Sequence, residues 1–448
     1  MKKIKYIFIV CIALIIIIPL MFFNHEKEVA SSLDNRMLTT LVGLDVENVE
    51  NYISDRIGFR EEMINVYNMV NKDLFNVISG ADLMLGSNGE DIYPKISSIE
   101  TYNQYHEMFL DSVKRIQDYC EARNIKFYFI LEPSKTSIIK DNLPLGLNYN
   151  TDWIDEFVVR ANEKGINFVD NYTYFNSIKN DILLYNKTYD TYHWNDTGAF
   201  YGINNLLSSM GLKENDLADY DVILKEYDEN GAKIDDTVFE LVPKIEANDL
   251  SEKYANGLLM ENDFKEFRYY ESANGNLSLL SFQGSYFMTE DRTSKFLANN
   301  FSKTIGVHNY QNIFNINYYL NIYRPDIVIF EVADYTFGEY YFAQYFMETM
   351  VTPPTLASLN GLNENNYDSG IEYRTELDGE YLTYIFSNAG NKYTYGYLCV
   401  DDLIYDLRKY DNENMALTIL KDDDFDIENV IIKYVDIDNN SIDVYSLK

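Results

Sequence analysis

The sequence predicts an α/β protein, a parallel sheet flanked by helices, followed by a separate C-terminal all-β sandwich. Two patterns predict it. Between Lys126 and Glu331, short apolar runs alternate with amphipathic stretches of helical period, the order that builds strand–helix–strand units covered on both faces. After Pro353-Pro354 the helical period gives way to short alternating runs divided by turn residues, which reads as a sandwich.

The elements follow in order. Lys2, Lys3 and Lys5 flank an apolar run from Ile4 to Phe23. About 20 apolar residues span a bilayer, with basic residues on the cytoplasmic side. Residues 1–30 are therefore expected to be a signal-anchor, making the chain a single-pass protein of the cell membrane with its remainder extracytoplasmic. A cleaved signal peptide is the alternative, and either way the chain is exported. Helical patterns follow at 46–55 and from Arg60, where Met63, Val66, Tyr67, Val70 and Leu74 share a face, and again from Ile99 to Cys120.

The run Lys126–Leu131 is a buried strand. A helix from Trp153 to Lys164 closes at Gly165 and leads to the strand Ile166–Val169. Asn195 or Asp196 caps the next helix. Strands at Leu277–Phe282, Thr304–Val307 and Ile327–Glu331 alternate with helices at Arg292–Phe301 and Ile313–Tyr323. Residues 31–345 are thus expected to form one domain, with 212–270 as an insertion of weaker periodicity, and 352–448 the sandwich.

Composition narrows the function. The formal net charge is −34, from 71 acidic against 37 basic residues, so phosphate-backbone binding is excluded and nucleic acid is no partner. Cys11, Cys120 and Cys399 stand apart, giving neither a disulfide framework nor a metal signature. The 40 tyrosines suit a carbohydrate ligand, although most are read as genome composition.

Of four histidines, His25 abuts the apolar run, His106 sits in a helical pattern among polar neighbours, and His308 ends a short strand as a surface residue. His193 differs. It stands in Asp190-Thr191-Tyr192-His193-Trp194-Asn195, and a carboxylate three residues upstream can fold back to orient the imidazole. An Asp–His pair that only caps the following helix is the bland alternative. The strand Leu277–Phe282 ends in Gln283-Gly284-Ser285-Tyr286, the strand–turn–helix position where α/β enzymes place a nucleophilic hydroxyl. There the alternative is an ordinary turn with a Ser cap. Glu331 and Asp334, at the end of the last strand, are read as surface acids.

Taken together these segments resemble the SGNH-hydrolase-like polysaccharide O-acetyltransferases of the alginate type (AlgJ- and AlgX-like) and the related DHHW group. The resemblance rests on Asn35-Arg36-Met37-Leu38, Asp55-Arg56-Ile57-Gly58-Phe59-Arg60, Leu85-Gly86-Ser87-Asn88-Gly89, Pro133-Ser134-Lys135-Thr136 with Leu143-Pro144, His193-Trp194-Asn195 with Gly198-Ala199, Leu279 to Tyr286, and Pro325 to Ile329. It runs from the N-terminal apolar segment to about residue 340, and the histidine segment precedes the serine segment as in that family.

The resemblance implies an SGNH-like parallel sheet, Ser285 as nucleophile, His193 as general base then acid, and Asp190 as its orienting carboxylate. It implies no metal and no cofactor, a polysaccharide acceptor, and a membrane-bound O-acyltransferase as acetyl donor, because acetyl-coenzyme A is cytoplasmic. Tyr286 and Asn195 are candidates beside the Ser285 N–H for the oxyanion. Trp194 is either a wall of the acceptor site or core packing. This chain departs from the pattern in three places. Its acid lies three residues before the histidine instead of two, Gly284 replaces an aspartate before the serine, and Glu90-Asp91-Ile92-Tyr93 follows the Leu-Gly turn. An acetylesterase with the same triad, or a non-catalytic glycan-binding envelope protein, are the competing readings.

Overall fold

A computed structural model describes residues 6, 17–25, 30–31, 36–37, 39–40, 46–60, 62–63, 66–67, 69–70, 83–94, 101–143, 150–228, 233–260, 266–338, 340–367, 371–387, 392–427 and 430–447. They divide into two compact units, Met1–Lys95 with Asn142–Leu145, and Ile96–Asp141 with Gly146–Lys448. Most of the apolar run assigned to an anchor lies outside the described residues, as do Cys11, Asn35, Leu38 and Pro144. Among the described residues no helix is long and apolar enough to cross a membrane.

In the first unit the helix Val46–Arg56 ends on a buried pair. The Asp55 carboxylate accepts from the Thr39 N–H (2.9 Å) and hydroxyl (2.7 Å), while the Arg56 guanidinium donates to the Thr39 carbonyl (3.1 Å). The Leu-Gly turn is a hairpin between Leu83–Leu85 and Ile92–Pro94, and Gly89 takes φ 73°, a conformation glycine adopts without strain.

The second unit is built on a mixed sheet. Its elements are α1 (Gln104–Glu121), β1 (Lys126–Glu132), α2 (Asp152–Glu163), β2 (Phe168–Asp170), α3 (Asn171–Ile178), α4 (Asp196–Ser209), β3 (Tyr220–Tyr227), β4 (Lys233–Pro243), β5 (Asn248–Asp249), β6 (Phe267–Glu271), β7 (Ser278–Gln283), α5 (Ser285–Met288), α6 (Arg292–Phe296), β8 (Lys303–His308), α7 (Ile316–Tyr323) and β9 (Ile327–Ala333). The strand order is β2-β1-β9-β7-β8-β6-β5. From β2 to β8 the pairing is parallel, as the strand–helix alternation requires. All seven residues of β9 are buried, six of them apolar with Glu331 the exception, as a strand covered on both faces needs.

The 212–270 segment supplies more than an insertion. It forms the hairpin β3–β4 and the strand β6, which pairs antiparallel with β8 and extends the sheet. The helix α3 also has no counterpart in the sequence reading. Its residues Asn171-Tyr172-Thr173-Tyr174 are modest helix formers, and the Asp170 cap on the Thr173 N–H (2.9 Å) together with packing overrides propensity.

The C-terminal strands are β10 (Asn363–Tyr367), β11 (Tyr373–Asp378), β12 (Tyr381–Ser387), β13 (Tyr395–Val400), β14 (Leu403–Lys409), β15 (Asn414–Leu420), β16 (Ile431–Asp436) and β17 (Ser441–Ser446). They run β10-β17-β16-β13-β14-β15-β12-β11 without a break. β14 makes the corner: Leu403–Leu407 pair with β13, and Arg408–Lys409 with β15. Both halves feed one core, including Phe386, Leu398, Leu417 and Ile432. The domain is therefore all-β, but as one folded sheet whose halves share a strand.

Two glycines of α4 allow the close packing that places the histidine segment. A Cβ on Gly198 would lie 2.4 Å from the Leu184 carbonyl oxygen and 2.8 Å from the Trp194 Cβ; one on Gly202 would lie 2.4 Å from the Trp194 ring. Alanine at 198 gains about 1 kcal/mol of helix propensity, and overpacking against backbone costs about 1–3 kcal/mol. Gly198→Ala is accordingly expected to lower Tm in a thermal melt; an unchanged or raised Tm would show that the helix can move away from residue 184.

Candidate active site

β7 carries the chain through the middle of the sheet and ends at Gln283. Gly284 turns it, and Ser285 becomes the first residue of α5, beyond the carboxyl end of the strands where open α/β sheets gather their ligands. The histidine arrives from the loop before α4. Asp190 takes φ 42°, in the left-handed region that aspartate tolerates better than most residues, and the His193 N–H closes the turn on the Asp190 carbonyl (3.4 Å).

These two segments meet. His193 Nε2 lies 2.9 Å from Ser285 Oγ, and His193 Nδ1 lies 2.6 Å from Asp190 Oδ1. An ionised carboxylate can only accept, so Nδ1 carries the proton and Nε2 is left to accept from the serine hydroxyl. All three residues are half-buried and open to solvent on one side.

Ser285 and His193 are 92 residues apart, and two bonds between their neighbours hold them together. The Trp194 indole N–H donates to the Tyr286 carbonyl (3.1 Å), and the Tyr286 hydroxyl donates toward the Tyr192 carbonyl (2.9 Å) and the Pro133 carbonyl (3.1 Å). The rings pack as well, His193 on Tyr286 at 5.2 Å and Trp194 on Tyr286 at 5.3 Å between centroids. Trp194, Tyr192 and Tyr286 each flank a triad member by one residue.

This packing decides one site expectation and corrects two. Trp194 is fully buried with its donor used, so it is core and not a sugar-facing wall. Asn195 caps α4 by accepting from Gly198 N–H (2.8 Å) and gives one amide hydrogen to the Leu183 carbonyl (2.9 Å), so both ends of its side chain are engaged at the helix start. The Tyr286 side chain is fully buried and its hydroxyl is likewise committed. What stays available is backbone: the N–H groups of Ser285 and Tyr286 open α5 and have no acceptor within it.

Several residues at the site escaped the sequence reading. Arg292, 1% exposed, sets its Nη2 3.5 Å from Asp190 Oδ2 and its Nε 3.6 Å from Asp196 Oδ1. Burial pushes the Asp190 carboxyl up, but His193 and Arg292 outweigh it and hold the group below its ordinary range, ionised. The clue in the sequence is a cation in the first turn of a helix, against the dipole, which calls for a tertiary partner. Tyr335, just past β9, also stands beside the site: its ring lies 6.3 Å from Tyr286 and 6.5 Å from Tyr192.

Glu331 and Asp334 are not surface acids. Both are buried, Glu331 accepting from the Gly284 N–H and Asp334 from the Ser134 N–H (2.9 Å) and hydroxyl (3.0 Å). His106 is buried too, at the third position of α1, where its Nδ1 accepts from the Asn103 N–H (3.1 Å). Burial among Tyr102, Trp153 and Phe337 pushes its pKa down to about 4. His308 is half-buried, and burial lowers it as well.

No protein-family model matches the chain, and no curated protein does. Solved structures are similar to it in part. Bacillus cereus PatB1 with a sulfonyl adduct is 17% identical, covers 58% of this chain and 97% of its own length, and has a TM-score of 0.45. The O-acetyltransferase domain of Pseudomonas putida AlgJ is 13% identical over 60% of this chain and 98% of that domain, with a TM-score of 0.39. A DHHW family protein from Eubacterium siraeum is 16% identical over 56% and 91%, with a TM-score of 0.40. AlgJ and the DHHW group are the proteins its motifs resemble.

The buried acids generate a pH prediction. Burial raises Glu331 to about 8 and Asp334 to about 6, against about 4 for carboxyls in an unfolded chain. Between those values the folded state binds more protons than the unfolded one, so stability falls as pH rises, by roughly 1.4 kcal/mol per pH unit for each group. Above about pH 6 Asp334 no longer contributes, while Glu331 does, and so does Glu132, which burial and the neighbouring Glu331 raise well above the ordinary carboxyl range. Tm should therefore drop between about pH 6 and 8, and Glu331→Gln should flatten that part of the curve; equal slopes would contradict the assignment.

Proposed function

We propose that this chain is an exported O-acetyltransferase that moves acetyl groups onto a cell-surface polysaccharide through an acetyl-serine. One observation carries the reading: the serine hydroxyl, imidazole and carboxylate stand in line, 2.9 Å and 2.6 Å apart, at the open edge of the sheet. A serine at its own pKa is a poor nucleophile, and an oriented base is the group it requires.

His193 takes the Ser285 proton as Oγ attacks the acetyl carbonyl carbon. The tetrahedral oxyanion forms against the first N–H groups of α5, then collapses, and the leaving group departs with the proton from His193. An acceptor sugar hydroxyl next gives its proton to His193 and attacks the acetyl-serine, and the proton returns to Ser285 as the ester is released. General base assistance contributes roughly 10²–10⁴-fold and an oxyanion donor a similar factor. Asp190, kept ionised by Arg292, stabilises the imidazolium formed in each half. The N-terminal apolar run would hold the enzyme outside the membrane, and a membrane-bound O-acyltransferase would supply the acetyl group.

The test gives the purified ectodomain and its Ser285→Ala variant p-nitrophenyl acetate, with and without an oligosaccharide acceptor. Acetylated sugar from the wild type alone is expected. Acetate with no acetylated sugar would make the protein an esterase, and equal inertness of both forms would end the catalytic reading.

A further inference from the structure

We infer that Glu331 is a positioning residue for Ser285: its carboxyl group holds the backbone N–H of Gly284 and so fixes the turn that presents the nucleophile to His193. The inference rests on Ser285 being the nucleophile. The resemblance places an aspartate on the residue before the serine, and this chain has Gly284 there. A carboxyl reaches the same turn from elsewhere, because β9 lies beside β7 with Phe330 paired to Phe282, which brings Glu331 level with the end of that strand. Its Oε2 accepts from the Gly284 N–H at 2.5 Å.

The arrangement is costly, which argues that it does something. Glu331 is fully buried, and its other oxygen, Oε1, has no hydrogen-bond partner. A second buried acid, Glu132 at the end of β1, is held neutral by burial and by the nearby Glu331, and it is itself bound by the Asn171 amide (2.9 Å). A leucine would satisfy the apolar demands of this place better, and would leave only the Gly284 N–H without an acceptor. Packing alone therefore gives no reason for an acid. Hydrogen-bonding the turn does, since Gly284 has no side chain with which to fix it.

The experiment compares wild type, Ser285→Ala, Glu331→Gln and Glu331→Leu in the full-length protein, with Glu331→Met as a second apolar variant. Steady-state p-nitrophenyl acetate hydrolysis, Tm, and the ¹⁵N resonances of the His193 ring are measured. Glutamine keeps an acceptor, so kcat should stay within ~3-fold, whereas leucine should lower kcat ~30-fold or more with KM within ~2-fold, as expected for a misplaced nucleophile. Tm should not fall in parallel, since leucine also removes a buried acid. The Nε2 resonance of Glu331→Leu should move toward that of Ser285→Ala. Unchanged kcat and resonance in Glu331→Leu would overturn the proposal, as would a glutamine variant as impaired as the leucine one. A wild type as inert as Ser285→Ala would instead sink the nucleophile reading, and the ring resonance would still decide whether Glu331 sets the turn.

Discussion

Two hydrogen bonds to one residue hold this site together. Tyr286 offers its carbonyl to the Trp194 indole and its hydroxyl to the Tyr192 carbonyl, so the residues on both sides of His193 grip the residue after Ser285. Neither bond involves a triad atom. Their effect is to bring two segments 92 residues apart in the chain into hydrogen-bond range, in a region where the surrounding rings leave little freedom to drift. Each bond is worth about 1 kcal/mol in net stability, a small fraction of the fold. Their greater value is orientation, because catalytic contact depends on displacements of less than 1 Å.

Charge is arranged around the same point. In a chain of net charge −34, three cations converge behind the triad. Lys225 binds Glu290, Lys295 bridges Asp196 and Glu240, and Arg292 faces Asp190 and Asp196. The hairpin β3–β4 supplies Lys225 and Glu240, so the segment that looked like an insertion braces the acid of the triad. Among the described residues no cation pairs with Glu331 or Glu132, and burial favours their neutral forms. The site thus combines an acid kept ionised by its partners with acids kept protonated by burial.

Much of this was legible in the residues. The parallel strands announced themselves as unbroken apolar runs, and the Asp-x-x-His and Gly-Ser-Tyr segments stood out because few other histidines or strand ends offered comparable chemistry. What stayed hidden depends on tertiary contact. Trp194 could equally have lined a pocket, and only its buried donor decides for core. Glu331 and Asp334 read as surface charges because burial of a lone acid leaves no mark on local pattern. β6 and β14 were missed for a related reason: Phe267-Arg268-Tyr269-Tyr270-Glu271 and Leu403-Ile404-Tyr405-Asp406-Leu407 mix polar and apolar residues without strict alternation, the former at the antiparallel margin of the sheet and the latter at a corner shared by two half-sheets.

One contact decides the proposed chemistry, the His193 imidazole on the Ser285 hydroxyl. Intact-mass measurement after treatment with phenylmethylsulfonyl fluoride reads it most directly, comparing the wild type with His193→Ala. A single adduct mapped to Ser285 in the wild type, and a much slower reaction in the variant, is the predicted result. No adduct at Ser285, or labelling at the same rate without His193, would contradict it.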